Sequence, residues 1–213
     1  SALLEAMEES TVTIDGETLE LPAPFMVIAT QNPIEMEGVF ELPEAQRDRF
    51  QLKYTVEIPD RTSERKVLDR FDTAPGLGPS AVEQVIEPDE LQRASDAVTD
   101  VYVADPVKEY ILDLVAATRA SPMLQHGGSP RATLAFLSAG KARAAIQGRD
   151  YVIPDDVKSL AAPVLKHRVI RTTDAELADE SVSEIIDGVL AEVTPPSAET
   201  TFAETDDQAV PSE

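Results

Sequence analysis

The stretch Phe25-Met26-Val27-Ile28-Ala29-Thr30-Gln31-Asn32-Pro33 is an apolar run that ends in two side-chain amides and a proline. Because it is short, apolar and flanked by prolines, it predicts a buried strand of a parallel sheet over residues 25–30. Ligands of open α/β sheets bind beyond the carboxyl ends of such strands. Gln31 and Asn32 lie at that end, where an amide can orient a water molecule or a phosphate oxygen. The alternative is that both amides only cap the strand and begin a turn.

The residues before this run predict a helix and a hairpin. Residues 1–9 have apolar side chains at helical spacing, and residues 10–21 alternate between polar and apolar on both sides of Asp15-Gly16. This pair favours a type I′ turn between two antiparallel strands. In such a hairpin one face carries four apolar side chains, namely Val12, Ile14, Leu19 and Leu21.

The residues after the run predict a mainly helical chain. A short helix is expected from Pro43 to Arg49-Phe50, with proline in the favoured first position, followed by a second strand over 52–56. Capping residues and helical spacing then predict six further helices. They cover residues 61–71, 88–99, 106–120, 130–148, 154–166 and 179–193.

The composition excludes several classes of protein. The net charge of -22 and a pI near 4.3 describe a surface that repels nucleic acid and anionic membranes. The sequence shows no signal peptide and no apolar run of the ~20 residues that span a bilayer, so membrane insertion is not expected. Acids spread along the whole chain predict adaptation to high salt; an ordinary acidic protein with an acidic tail is the alternative.

The chain has no cysteine, and its two histidines stand far apart in sequence. Disulfides and thiolate metal sites are therefore excluded, and a histidine-based metal centre is not expected. A reducing compartment follows, and we expect a cytoplasmic protein.

Taken together, the motifs resemble the MoxR family of AAA+ ATPases from Ser1 to about Thr194. The order of the motifs along the chain, more than any single one, carries this resemblance. They are Ala29-Thr30-Gln31-Asn32-Pro33, Leu42-Pro43-Glu44-Ala45-Gln46, Asp48-Arg49-Phe50, Gly128-Ser129-Pro130-Arg131-Ala132, Gly148-Arg149-Asp150-Tyr151-Val152-Ile153-Pro154-Asp155-Asp156-Val157 and Leu165-Lys166-His167-Arg168-Val169.

The resemblance implies an α/β fold in which part of a P-loop AAA+ core with an inserted β-hairpin precedes an all-α lid. Residues 1–58 would be the C-terminal part of the core, and residues 59–85 a connecting helix and hinge. Residues 86–194 would form the helical lid. Residues 195–213, rich in proline, serine, threonine and acids, would be a disordered tail.

Two candidate catalytic residues follow from the resemblance. Asn32 matches the sensor-1 position, where an amide would orient the attacking water against the γ-phosphate. Arg49 matches the arginine finger, which would reach the γ-phosphate of a neighbouring subunit. Its alternatives are a helix C-terminal arginine favoured by the dipole, or a partner for Asp48 or Glu44. Arg47, where the family usually has an apolar residue, is a rival for the finger position.

Arg131 matches the sensor-2 position and is a candidate for nucleotide binding. Ser129 as N-cap and Pro130 at the first position place this arginine in an opening helical turn, where the helix dipole disfavours a cation. A bound phosphate would resolve that conflict, and pairing with a nearby acid is the alternative. His167-Arg168 would be either a helix cap or a group beside the nucleotide or a subunit interface.

The sequence lacks the parts that hold phosphate and metal in these enzymes. It has no Gly-x-x-x-x-Gly-Lys-Ser/Thr loop and no apolar run ending in Asp-Glu, which cradle the phosphates and hold Mg²⁺. The family resemblance puts them upstream of residues 1–9. With Ser1 in place of Met, this predicts a part of a longer ATPase whose ATP and Mg²⁺ are bound mainly by the remainder. Alone, this chain would be inactive.

The parent ATPase is expected to form a ring, most simply a homo-hexamer, and to remodel or mature client proteins. The resemblance suggests a client with a von Willebrand A domain, or a metal-dependent enzyme. One alternative is a short non-catalytic interaction module that docks on a complete ATPase. Another is a relative of DNA helicases, which the strongly negative charge opposes.

Overall fold

In the computed structural model, residues 2–32, 42–76, 78 and 81–197 are described. Pro33, and the predicted acidic tail beyond Ser197, lie outside these residues. The described residues form nine helices and two small antiparallel sheets. In chain order they are α1 Ala2–Glu9, β1 Thr11–Ile14, β2 Glu17–Glu20, α2 Glu44–Arg47, α3 Arg61–Thr73, α4 Pro88–Thr99, α5 Asp105–Ala120, β3 Leu124–His126, α6 Pro130–Ile146, α7 Pro154–Leu165, β4 Ile170–Arg171, α8 Thr173–Leu177 and α9 Val182–Glu192.

The predicted hairpin is confirmed in its turn and register. Asp15 and Gly16 have φ of 52° and 84°, and a type I′ turn requires a positive φ at both central residues. Val12 is the cross-strand partner of Leu19, so the apolar side chains share a face as expected. That face stays largely open to solvent: Leu19 is 45% exposed.

The predicted strands over 25–30 and 52–56 are wrong. Both segments lack regular secondary structure, and Met26 and Val56 are 76% and 95% exposed. A buried parallel strand is held by hydrogen bonds to neighbouring strands on either side and by helices on both faces. Among the described residues no strand pairs with either segment, so the apolar run has nothing to pack into.

The main hydrophobic core lies within the helical bundle, by which we mean α4 to α9. α5 has buried side chains at successive helical positions i, i+3, i+4, i+7, i+8 and i+11, which is the stripe of a core-facing helix. They are Val107, Tyr110, Ile111, Leu114, Val115 and Thr118. Phe136 of α6 and Leu165 of α7 are also fully buried in this core.

The six predicted helices are confirmed to within a few residues. The last, predicted over 179–193, is α9 Val182–Glu192, and the short helix α8 Thr173–Leu177 before it was not predicted. Asp179, which has a φ of 55°, separates α8 from α9, and Ser181 then caps α9 by accepting a hydrogen bond from the Glu184 backbone N–H. A left-handed residue cannot continue a helix.

One ion pair lies inside the bundle. Asp156 is 2% exposed and accepts two hydrogen bonds from the Arg149 guanidinium, at 2.7 and 2.8 Å. It also accepts from the Ile153 backbone N–H at 3.0 Å, which caps the start of α7. Because both charges are paired and hydrogen-bonded, the buried carboxylate is stabilised.

Asp156 is the only buried carboxylate among the described residues, so the acidic groups otherwise lie at or near the surface. None of the described helices has the length and apolar character that crossing a bilayer requires.

This distribution predicts that the chain loses stability as salt is removed. With a net charge of -22, the acidic groups repel one another. This repulsion is screened less as the Debye length grows from ~3 Å at 1 M salt to ~30 Å at 0.01 M. We expect the thermal unfolding midpoint, followed by circular dichroism, to fall across that dilution. A midpoint that is unchanged or rises would contradict adaptation to high salt.

Candidate functional site

The candidate site lies where the turn after α2 meets the helical bundle, and it is centred on the Asp48 carboxylate. The Ser129 hydroxyl donates to this carboxylate, with oxygen–oxygen distances of 2.7 and 3.0 Å. Arg168 donates to it from Nε at 3.1 Å. Nη1 of Arg131 lies 3.7 Å from the same carboxylate. Three side chains of the bundle therefore converge on one acid beside the predicted finger, Arg49.

Arg168 fixes the backbone around that acid. Its side chain is 2% exposed and donates to four main-chain carbonyls besides the Asp48 carboxylate. A planar guanidinium has five donors in a rigid fork, so it can hold several acceptors in one arrangement. The accepting carbonyls are Val164 at 2.5 Å, Phe50 at 2.6 Å, Gln51 at 3.0 Å and Asp48 at 3.1 Å.

Residues around this acid also supply hydrogen-bond donors to the C-terminal end of α7. The last four carbonyls of a helix have no partner within the helix. Two of the donors come from the turn that follows α7, one comes from Lys53 and one from the Arg168 side chain. The pairs are Lys166 N to Ala162 O, Lys53 N to Pro163 O, Arg168 Nη1 to Val164 O and Arg168 N to Leu165 O. Residues 48–53 are thereby joined to the bundle by both backbone and side chains.

His167 belongs to this junction rather than to the end of α7. Its ring lies 2.7 Å from the Phe50 carbonyl, which can only accept, so Nε2 carries the proton and donates. Burial lowers the pKa of His167 to about 4, although the Phe50 bond acts in the opposite direction. The imidazole is therefore neutral near pH 7, and it does not place a positive charge at the end of α7.

Two glycines place the start of α6. The Gly128 N–H donates to the buried Thr118 hydroxyl at 2.9 Å, and Arg119 Nε donates to the Gly128 carbonyl at 2.7 Å. A Cβ on Gly127 would lie 2.5 Å from the Arg119 backbone nitrogen, which is too close for any side chain. The loop is thus held against α5, and this fixes where Ser129 and Arg131 stand.

Arg131 lies in the first turn of α6, as predicted. The Ser129 hydroxyl accepts a hydrogen bond from the Arg131 backbone N–H at 3.1 Å while it donates to Asp48. The Arg131 side chain is 49% exposed, and 3.7 Å is an ion-pair distance too long for a hydrogen bond. Asp48 therefore partly relieves the conflict between this cation and the helix dipole. Pairing of Arg131 with a nearby acid is the alternative to a bound phosphate.

The structure brings Arg131 and the turn that carries Arg49 together, and it places Arg47 in the same half-buried segment. Nε of Arg47 is buried with no hydrogen-bond acceptor among the described residues. Next to Asn32 in the chain, the Gln31 amide oxygen accepts a hydrogen bond from Lys53 Nζ at 3.3 Å. Lys53 is the residue whose backbone N–H caps α7, so this segment is also tied to the junction.

Sequence reasoning missed the two groups that organise the site. Sequence reasoning offers Asp48 only as a partner for Arg49, and Arg168 only as a helix cap, a group beside the nucleotide or a residue at a subunit interface. The one signal in the sequence is that Arg168 lies in the segment 164–170, four of whose seven residues are apolar. An arginine at such a position needs an internal partner.

The residues present suit an anion better than a metal. Four arginines lie on or against this one turn in a chain of net charge -22, namely Arg47, Arg49, Arg131 and Arg168. Such a local concentration of positive charge attracts phosphate groups. Among the described residues no group of three His, Asp or Glu side chains could hold a metal ion. Anionic groups such as phosphates therefore fit these described residues better than a metal ion does.

Comparison with known proteins identifies the family of the chain. The family model for ATPases associated with various cellular activities (AAA) matches residues 1–52, and a model of the AAA lid domain matches residues 116–189. The chain is 42% identical over 195 residues to the chaperone MoxR1 of Mycobacterium tuberculosis, covering 87% of this chain and 50% of that protein. It is 40% identical over 196 residues to Bacillus subtilis YeaC, covering 92% and 61%.

A solved structure shares the fold. The crystal structure of a Cytophaga hutchinsonii protein assigned as an ATPase superimposes with a TM-score of 0.83 at 35% identity, covering 92% of this chain and 61% of that one. The chain thus spans about half to two thirds of the length of these relatives. On the family models, the sequence identities and the shared fold, the chain belongs to the MoxR family of AAA+ ATPases.

Proposed function

We propose that this chain supplies the arginine finger and both sensors of a ring-forming ATPase that hydrolyses ATP and remodels or matures client proteins. The observation that carries the proposal is the contact of Arg131 with Asp48, which sets a nucleotide-sensing arginine beside the turn of Arg49. The proposed division is a core part over 1–58, a connection over 59–85 and a helical lid over 86–194. Residues 195–213 would be a tail.

Arg131 would bind the γ-phosphate. Its position in the first turn of α6 supports this role, since a phosphate would satisfy both the helix amides and the guanidinium. It is also half-exposed and only loosely held by Asp48, so it can exchange that partner for a stronger anion.

Arg49 would act on the nucleotide of the next subunit, and Asn32 would orient the attacking water. Phosphoryl transfer needs positioning and charge stabilisation more than covalent chemistry, so a neutral amide and a guanidinium suffice. The rigid junction of residues 48–51 with Arg168 supports the finger role, because a finger must be held in place to act.

The phosphate-binding loop and the Mg²⁺ ligands would come from polypeptide outside these 213 residues, which contain neither motif. When bound, Mg²⁺ would supply positive charge that offsets the negative charge of the phosphates. We propose a homo-oligomer, most simply a hexamer, that works in the cytoplasm on client proteins, one class being proteins with a von Willebrand A domain. A relative named as a chaperone supports the remodelling role.

The proposal predicts that the 213-residue chain alone shows no ATP hydrolysis above background, because sensors without a phosphate cradle have nothing to act on. The measurement is phosphate release with Mg²⁺-ATP from three samples: the chain, the complete protein and the complete protein carrying Arg131→Ala. Only the complete wild-type protein should turn over at its full rate. Turnover by the chain, or an unaffected Arg131→Ala protein, would refute the assignment.

Arg143→Ala is the matched control, since Arg143 lies in the last turn of the same helix and pairs at 3.4 Å with Asp156. It removes an equal charge from α6 at a distance from the site. A loss of turnover equal to that of Arg131→Ala would show that the loss reflects charge or stability.

A further inference from the structure

Asp48 lies between two arginines with different proposed roles, the finger Arg49 and the phosphate-binding Arg131. It precedes Arg49 in the chain, and its carboxylate pairs with Arg131 across the junction. The carboxylate is 14% exposed, so its charge is held mainly by its partners and little by water.

The three partners of the carboxylate are held with different strength. Arg168 is 2% exposed and donates to the carboxylate at 3.1 Å, and the half-buried Ser129 hydroxyl donates at 2.7 Å, so both are held by hydrogen bonds. Arg131 is 49% exposed at 3.7 Å. Arg131 is therefore the partner that a competing anion can remove at the lowest cost.

We infer that Asp48 is a positioning residue that couples Arg131, and through it the bound nucleotide, to the turn that carries the arginine finger, Arg49. The inference rests on the proposed function. Without nucleotide, no phosphate competes with Asp48 for Arg131. Asp48 then holds the Arg131 side chain beside the turn that carries Arg49. When a γ-phosphate takes Arg131, Asp48 keeps only Ser129 and Arg168, and the balance of charge on the turn before Arg49 changes.

The link depends on the negative charge of Asp48 rather than on its shape. Asparagine has the same size and its amide oxygen can still accept from Ser129, but it cannot hold Arg131 as a counter-ion. In the Asp48→Asn protein, Arg131 should be more available to phosphate. The turn that carries Arg49 should then no longer change when a nucleotide binds Arg131.

The test uses the complete protein with four variants: Asp48→Asn, Arg131→Gln, both together, and Asp156→Asn as control. Affinity for a fluorescent non-hydrolysable ATP analogue and the rate at saturating ATP are measured on each. Asp48→Asn should bind the analogue about two- to fivefold more tightly, the effect of releasing one half-exposed ion pair. Its rate should fall about tenfold or more, because misplaced catalytic groups lose rate steeply.

The double variant identifies the route of the effect. If Asp48 acts through Arg131, then adding Asp48→Asn to Arg131→Gln leaves affinity unchanged. Tighter binding that persists in the double variant indicates general charge repulsion and overturns the inference. So does an Asp48→Asn protein whose affinity and rate both match the wild type.

Asp156→Asn removes a buried carboxylate that, like Asp48, pairs with an arginine, but at a place away from the site. If it reproduces tighter binding with slower turnover, the effect is one of stability and the inference fails. If Arg131→Gln alone changes neither affinity nor rate, the proposed function fails instead. Should Asp48→Asn not fold, Asp48→Glu keeps the charge, and it should lower the rate without tightening the analogue; an unchanged rate would overturn the inference.

Discussion

Replacing Arg49 by alanine is expected to lower ATP turnover of the complete protein by roughly 10³–10⁵-fold, on the order of 4–7 kcal/mol of transition-state stabilisation. Each subunit's own ATP binding should stay nearly intact, because a finger acts on the neighbour's nucleotide. Lysine at this position should rescue poorly, since it cannot reproduce the planar fork of the guanidinium. Steady-state turnover and equilibrium binding of ATP measure the two effects separately.

Arg47→Ala is the matched control, because Arg47 stands two residues away in the same half-buried segment and carries the same charge. We expect it to retain most of the turnover. If Arg47→Ala abolishes turnover and Arg49→Ala does not, then Arg47 is the finger and the assignment of Arg49 is incorrect.

Arg168→Met should be among the most destabilising single substitutions, costing about 3–5 kcal/mol of unfolding free energy. Methionine leaves Asp48 with an uncompensated, mostly buried charge and removes the donor of four main-chain carbonyls. Urea unfolding of the 213-residue chain, followed by circular dichroism, is the measurement. Adding Asp48→Asn should recover part of the loss, since both members of the pair are then neutral.

Arg65→Met provides the comparison for that effect. Arg65 is 75% exposed and forms an i,i+4 pair with Asp69 on α3. Its loss should change the unfolding free energy by no more than about 0.5 kcal/mol. If Arg168→Met costs as little as Arg65→Met, the junction between residues 48–51 and the bundle does not contribute to stability as described.

The features predicted well from sequence depend on neighbouring residues. The Asp15-Gly16 turn and the start of α6 at Ser129-Pro130 follow from local backbone and capping chemistry, and the structure confirms both. The strand over 25–30 failed because a parallel strand depends on partners distant in sequence. The sheet of β3 and β4 was missed because strands of three and two residues have no readable period.

The site divides in the same way. Arg131 could be singled out because a cation in the first turn of a helix conflicts with the dipole within a few residues. The pair of Asp48 and Arg168 could not be predicted, since the two residues stand 120 positions apart and meet only through tertiary packing. The neutral state of His167 likewise depends on burial against Phe50, which sequence alone does not reveal.

The central claim, that Arg49 completes the nucleotide site of a neighbouring subunit, is tested most directly by mixing two inactive proteins. One carries Arg49→Ala, and the other lacks the P-loop lysine of the complete protein. In mixed rings some interfaces pair an intact phosphate cradle with an intact finger, so part of the turnover should return. If co-assembly is demonstrated and mixing restores nothing, Arg49 acts within its own subunit or is only structural, and the claim is contradicted.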